Sequence, residues 1–93
     1  MKDQDAFTVK PWFIYILRCA DDSLYTGVST DVQRRVEEHN AGSPPGARYT
    51  SGRRPVSLVY QETAASRSDA LRREREIKAR DRAWKLALIA TAA

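Results

Sequence analysis

The run Trp12-Phe13-Ile14-Tyr15-Ile16-Leu17 is the longest unbroken apolar stretch in the chain. It is far too short to cross a membrane as a helix. As a strand it is apolar on both alternating faces, with Phe13, Tyr15 and Leu17 on one and Trp12, Ile14 and Ile16 on the other. A strand buried on both sides belongs in the middle of its sheet. Its partner follows at once. Asp21-Asp22-Ser23 supplies turn residues, and Leu24 to Ser29 returns as the second strand of a hairpin. The turn has no Gly, which leaves its type open.

Thr30 then opens a helix. Thr30-x-x-Gln33 fits a capping box, and Asp31 suits the positive end of the helix dipole. Val32, Val36 and His39 share one face, Asn40-Ala41-Gly42 gives a stop, and Pro44-Pro45 prevents continuation. Residues 42–54 read as a Gly/Pro/Arg-rich loop, long for so small a domain. Pro55 to Tyr60 reads as a third strand, with Pro tolerated at its first position. Ser66 or Ser68 can cap a second helix running to about Arg80. Asp81 can cap a third, with Trp84, Ala87 and Leu88 packing inward. The expected fold is α+β: a three-stranded, mostly antiparallel sheet flanked by three helices, in the order β-β-α-β-α-α. With 93 residues the chain reads as a single domain over 1–93, its core limited and its layers two. Residues 1–10 read as a disordered polar end and 11–91 as the folded part.

Charge is unevenly placed. Residues 1–47 carry five Lys/Arg against seven Asp/Glu, whereas residues 48–93 carry eleven against five. A basic half implies a polyanionic partner, most simply nucleic acid, or else a solvated Arg-rich helix surface. No helix pairs a wide apolar face with a basic one, so no membrane partner is expected. Cys19 is the only cysteine. It has no intramolecular disulfide partner, and the Cys/His set is too small for a zinc site. With no apolar signal core after the N-terminus, the expected location is cytoplasmic.

Tyr15 and Tyr25 lie ten residues apart on the two hairpin strands. Taken alone they are ordinary strand tyrosines. Their company differs. Gly27, two residues after Tyr25, leaves room for a close approach. Arg35 and His39, at i and i+4, point off one helix face. Arg35 offers a planar fork of donors suited to phosphate, or a pair for Glu38 or Asp31. His39 is the only histidine, and its ordinary pKa of ~6.5 suits proton transfer. Ala70, Glu74 and Ile77 fall at i, i+4 and i+7, which puts a carboxylate on a buried stripe. There it needs a salt bridge, several donors or a metal ion.

These residues resemble the GIY-YIG nuclease family, and most of all its small stand-alone bacterial proteins. The resemblance covers Trp12 to Ile89. The first signature stands as Phe13-Ile14-Tyr15 and the second as Tyr25-Thr26-Gly27. The helix arginine falls on Arg35, the histidine of part of the family on His39, and the acidic metal ligand on Glu74, four residues after Ala70. Phe13 replaces the name-giving Gly, and Thr26 replaces Ile. Neither position supplies a reactive side chain. No Asn follows Asn40, so the downstream Asn of some members has no counterpart.

The resemblance implies a metal-dependent endonuclease acting on DNA in repair or recombination, structure-directed or weakly specific, on branched or single-stranded forms. It implies one Mg²⁺ or Mn²⁺ on Glu74 and a catalytic set of Tyr15, Tyr25, Arg35 and His39. Tyr15 or Tyr25 would act as base, with a pKa lowered by Arg35 or the metal. It also implies DNA-backbone contacts from Arg48, Tyr49, Arg53, Arg54, Arg72, Arg75 and Arg80. The alternatives are a non-catalytic nucleic-acid-binding module on the same fold and an interaction domain of a larger repair complex.

Overall fold

The computed structural model describes residues 10–42 and 48–92. The expectations for residues 1–9 and for Pro44-Pro45 lie outside that set. The elements are β1 (Trp12–Arg18), β2 (Leu24–Ser29), α1 (Val32–Ala41), α2 (Arg48–Ser51), β3 (Ser57–Ala64), α3 (Arg67–Lys78) and α4 (Arg82–Ala90). The sheet is antiparallel with strand order β2-β1-β3, so the doubly apolar strand is central.

Each face of β1 carries its own core. Tyr15, Leu17 and the partly buried Phe13 pack with Val32, Val36, Val56, Cys19 and Tyr25 under α1. Ile14, Ile16 and Trp12 pack on the other face with Ala70 and Ile77 of α3 and with Trp84, Leu88 and Ile89 of α4. The expected two layers are therefore three, helix–sheet–helix. Short length argued for two, but a strand that is apolar on both faces needs cover on both. Ala87, expected inside, is exposed, and Ile89 takes a place in the core instead.

Other boundaries move for local reasons. Asp31, not Thr30, caps α1, and its carboxylate accepts from the Arg34 N–H at 3.1 Å. Ser66 caps α3 and Asp81 caps α4 in the same way. Gly42 ends α1 in the left-handed conformation at φ 71°. In the Gly-free hairpin turn, Asp22 takes the positive φ, at 71°. β3 starts at Ser57 and runs on to Ala64, past the expected end at Tyr60. Its polar second half pairs with Trp12–Tyr15, which an edge strand with one solvated flank allows. The register shifts between Ile16 and Leu17, where a bulge in β3 leaves Val59 over.

The loop after α1 holds a fourth, one-turn helix, α2, that the sequence did not announce. Two ties fix the segment behind it. The Asn40 amide donates to the Val56 carbonyl at 2.9 Å and accepts from the Val56 N–H at 2.7 Å. The Ala20 N–H donates to the Arg53 carbonyl at 2.8 Å, joining the loop to the hairpin.

Candidate active site

The centre of the site follows from strand register. Tyr15 pairs with Gly27 and Leu17 with Tyr25, so both tyrosines rise from the α1 side of the sheet on neighbouring strands. A Cβ on residue 27 would lie 2.6 Å from the Tyr15 hydroxyl, so the space that hydroxyl occupies exists because Gly27 has no side chain. On α1, His39 lies seven residues after the buried Val32 and so faces the sheet. The Tyr15 hydroxyl and His39 Nε2 are hydrogen-bonded at 3.2 Å. His39 Nδ1 is hydrogen-bonded to Thr50 Oγ1 of α2 at 2.7 Å. All three residues are only 1% exposed.

Tyr25 stands beside this chain. Its ring centroid is 5.2 Å from that of His39, 6.4 Å from that of Tyr15 and 5.9 Å from that of Tyr49. Arg35, one turn before His39 on α1, lies near enough for its positive charge to act on the Tyr15 phenol. It also pairs with Glu38 at 3.0 Å. Glu74 comes from α3, the helix on the other face, yet its charge acts on Tyr15. Its side chain is only 17% exposed and bonds Lys78 Nζ through Oε2 at 3.1 Å. The Lys78 ammonium in turn sits 5.8 Å from the centroid of the Tyr25 ring. The two faces of the sheet thus meet at the β2 edge.

The electrostatics fix the proton states of Tyr15 and His39. Burial, reinforced by Tyr25, pushes the Tyr15 phenol far above its ordinary range, and the opposing pull of Arg35 does not offset it. Arg35 acts in the expected direction, but burial outweighs it, and Tyr15 stays protonated at neutral pH. Burial, with Arg35 next, pulls His39 below its usual value against a smaller upward effect of Glu38. Its ring is neutral at pH 7, with one nitrogen donating and the other accepting.

The remaining candidates fall into two groups. Tyr49, 40% exposed, is roofed by the Arg53 guanidinium 4.1 Å from its centroid. Arg53 also pairs with Asp21 at 3.0 Å and donates to the Tyr49 carbonyl. Arg54 donates to the Ser51 and Asn40 carbonyls, and Arg48 is exposed on α2. These four stand on and beside α2, and of them Tyr49 lies against Tyr25. Arg75 is exposed on α3, roughly 100° around the helix from Glu74. Arg72 pairs with Asp69 on the side of α3 turned away from Glu74, and Arg80 stacks on Trp84 at 4.9 Å. Neither is gathered with the tyrosines. Thr50 and Lys78 complete the site, and sequence reasoning did not place Thr50 in it. Lys78 at i+4 from Glu74 was legible only as a salt-bridge partner.

Among the described residues, no three His, Cys, Asp or Glu side chains gather as a metal-holding group. Glu74 offers a single hard-oxygen donor. That set fits Mg²⁺, which keeps several waters when held by one or two carboxylates, provided Lys78 yields its place on the carboxylate. No helix among the described residues is long and apolar enough to cross a membrane.

Residues 11–87 match the GIY-YIG catalytic domain. A UPF0213 protein of Desulfotalea psychrophila is 58% identical over 67 residues, which span 72% of this chain and 60% of that protein. A UPF0213 protein of Staphylococcus haemolyticus is 54% identical over 77 residues, 83% of this chain and 92% of its own length. The solution structure of a UPF0213 protein from Bacillus halodurans superposes with a TM-score of 0.56 at 42% identity, covering 87% of this chain and 84% of that one. A protein from E. faecalis gives 0.60 at 36% identity, covering 90% and 88%.

Proposed function

This chain belongs to the GIY-YIG family, and on that premise we propose that it is a divalent-metal-dependent endonuclease hydrolysing phosphodiester bonds in DNA. The observation that carries the reading is the meeting of Tyr15, Tyr25, His39 and Arg35 with the Glu74 carboxylate, which arrives from the opposite face of the sheet.

Glu74 would hold one Mg²⁺ or Mn²⁺, with water completing the coordination. When bound, the ion supplies Lewis acidity at the phosphate and stabilises the leaving oxygen. Arg35 offsets charge as it builds on the phosphoryl oxygens. Tyr15 keeps its proton and positions its neighbours. Tyr25, partly buried at the β2 edge, orients the attacking water and takes its proton, help of a kind typically worth on the order of 10²–10⁴-fold. Neutral His39 relays protons behind the tyrosines. Arg48, Tyr49, Arg53 and Arg54 carry the DNA backbone toward Tyr25, and Arg75, Arg72 and Arg80 add attraction from further out. Backbone contacts of this kind give affinity without sequence readout. On this reading the substrates are branched or single-stranded DNA in repair or recombination, within the cytoplasm.

The test is cleavage of supercoiled plasmid and branched DNA with Mg²⁺, with Mn²⁺ and with chelator, running Glu74→Ala beside the wild type and measuring binding by gel shift. Metal-dependent nicking by the wild type should disappear in Glu74→Ala, with binding kept. Cleavage that survives the substitution removes Glu74 from the metal.

One observation favours a second reading. Lys78 already neutralises Glu74 at 3.1 Å, as a carboxylate without a metal would require. In a non-catalytic nucleic-acid-binding module the pair stays closed. A folded wild type that binds DNA but never cuts it would establish that alternative.

A further inference from the structure

β2 is an edge strand, and α1 and α3 flank it on either face of the sheet. Its Tyr25 end meets Tyr49 of α2. At its Ser29 end, roughly 13 Å further along the strand, a groove of about 500 Å³ opens between Trp12 and Val28 of the sheet and Arg34, Arg35 and Glu38 of α1. Arg35 borders both this groove and the candidate active site, so the two lie side by side. The lining suits one nucleotide. Trp12 is half-buried at the start of β1, and the Arg67 guanidinium of α3 stands 5.8 Å from its centroid. Every base has a π-face, so an indole accepts any of the four. The Arg34 side chain is 62% exposed, and its ion pairs with Asp31 and Glu38 are long, at 3.9 and 4.0 Å. Its guanidinium can exchange such pairs for a phosphate at little cost. The Glu38 carboxylate is held by Arg35 at 3.0 Å, which offsets its charge.

We propose that this groove holds an unpaired nucleotide flanking the scissile phosphate, with its base stacked on Trp12 and its phosphate on Arg34. A base inside a duplex is already stacked on its neighbours and enters only by leaving that stack, a cost that an unpaired base does not meet. The groove therefore selects single-stranded or branched DNA by structure and not by sequence, because stacking accepts every base. Its place beside the cut rests on the nuclease reading, whereas the base on Trp12 needs only that the chain binds nucleic acid.

Trp12 and Trp84 are the only tryptophans, so the chain labelled with fluorotryptophan gives two ¹⁹F resonances. Trp84→Phe assigns them, or Trp12→Phe where the first variant does not fold. During titration with short oligo(dT), with binding followed in parallel by gel shift, the Trp12 resonance should move in step with binding. A hairpin duplex should leave it in place. Trp12→Leu keeps an apolar side chain without the flat ring. It should weaken oligo(dT) binding about 5- to 100-fold, the range for losing one stacked base, and change duplex binding little. Where Trp12→Leu does not fold, the resonance in the unaltered chain decides. Binding of oligo(dT) with the Trp12 resonance unmoved overturns the proposal, and so does an equal shift with the duplex. A chain that binds neither DNA sinks the nucleic-acid reading and this proposal together. A chain that takes oligo(dT) on Trp12 yet cuts no DNA sinks the nuclease reading and leaves the base site standing.

Discussion

At the scale of single residues, His39 does two things at once, and its protonation exposes both. Its folded value lies below the usual one because the buried, Arg35-facing ring resists a charge. Above ~6.5, the ordinary histidine value, the folded and unfolded chains are both neutral at this position and its contribution is complete. Between ~6.5 and the lower folded value the unfolded chain binds more protons, so stability falls as pH falls. The unfolding midpoint of the wild type should therefore drop more steeply from pH 7.5 to 5.0 than that of His39→Gln, measured by thermal melts across the range. Parallel slopes would mean that the ring is not held neutral. Residue-level chemistry was legible where it obeyed a period. Alternation placed Tyr15 and Tyr25, and the i, i+4 spacing placed Arg35 with His39 and Ala70 with Glu74. Thr50 obeyed none, because its partner is eleven residues away across a loop with no repeat to read.

Among the elements, α3 connects stability to chemistry. Ala70 and Ile77 are fully buried against β1, and Glu74 stands between them, so the packing that anchors the helix also aims the carboxylate. Ile77→Ala should cost about 2–5 kcal/mol, read as a lower urea midpoint with an unchanged slope. Glu76→Ala, on the exposed side of the same helix, should stay within ~0.5 kcal/mol of the wild type. Equal losses from the two would contradict the packing described. The order of the elements could be read from turns and caps, since each boundary has a local chemical sign. The extent of β3 could not, because Gln61-Glu62-Thr63 has no apolar pattern and becomes a strand only by pairing with β1. α2 is too short for any helical period to show.

Over the whole molecule, charge and topology act together. The basic half of the sequence is split between α2 with its flanking loop and the two C-terminal helices, so only part of it borders the tyrosines. Arg48→Ala should weaken DNA binding across all sequences and reduce the log–log salt slope by about 1, whereas Arg72→Ala, further out and paired with Asp69, should reduce the slope by clearly less. Titration of a fluorescent oligonucleotide from 50 to 200 mM salt, covering about the range in which such contacts are lost, decides between them. An unaltered slope in Arg48→Ala would take α2 off the DNA path. The three-layer build has a consequence for synthesis. The tyrosines, the arginine and the histidine all leave the ribosome before the carboxylate does, because Glu74 lies on the far helix and follows every strand. A nascent chain abandoned before Arg67 therefore carries the tyrosines, Arg35 and His39 but not Glu74, and on the proposed reading it lacks the one group that would hold the metal.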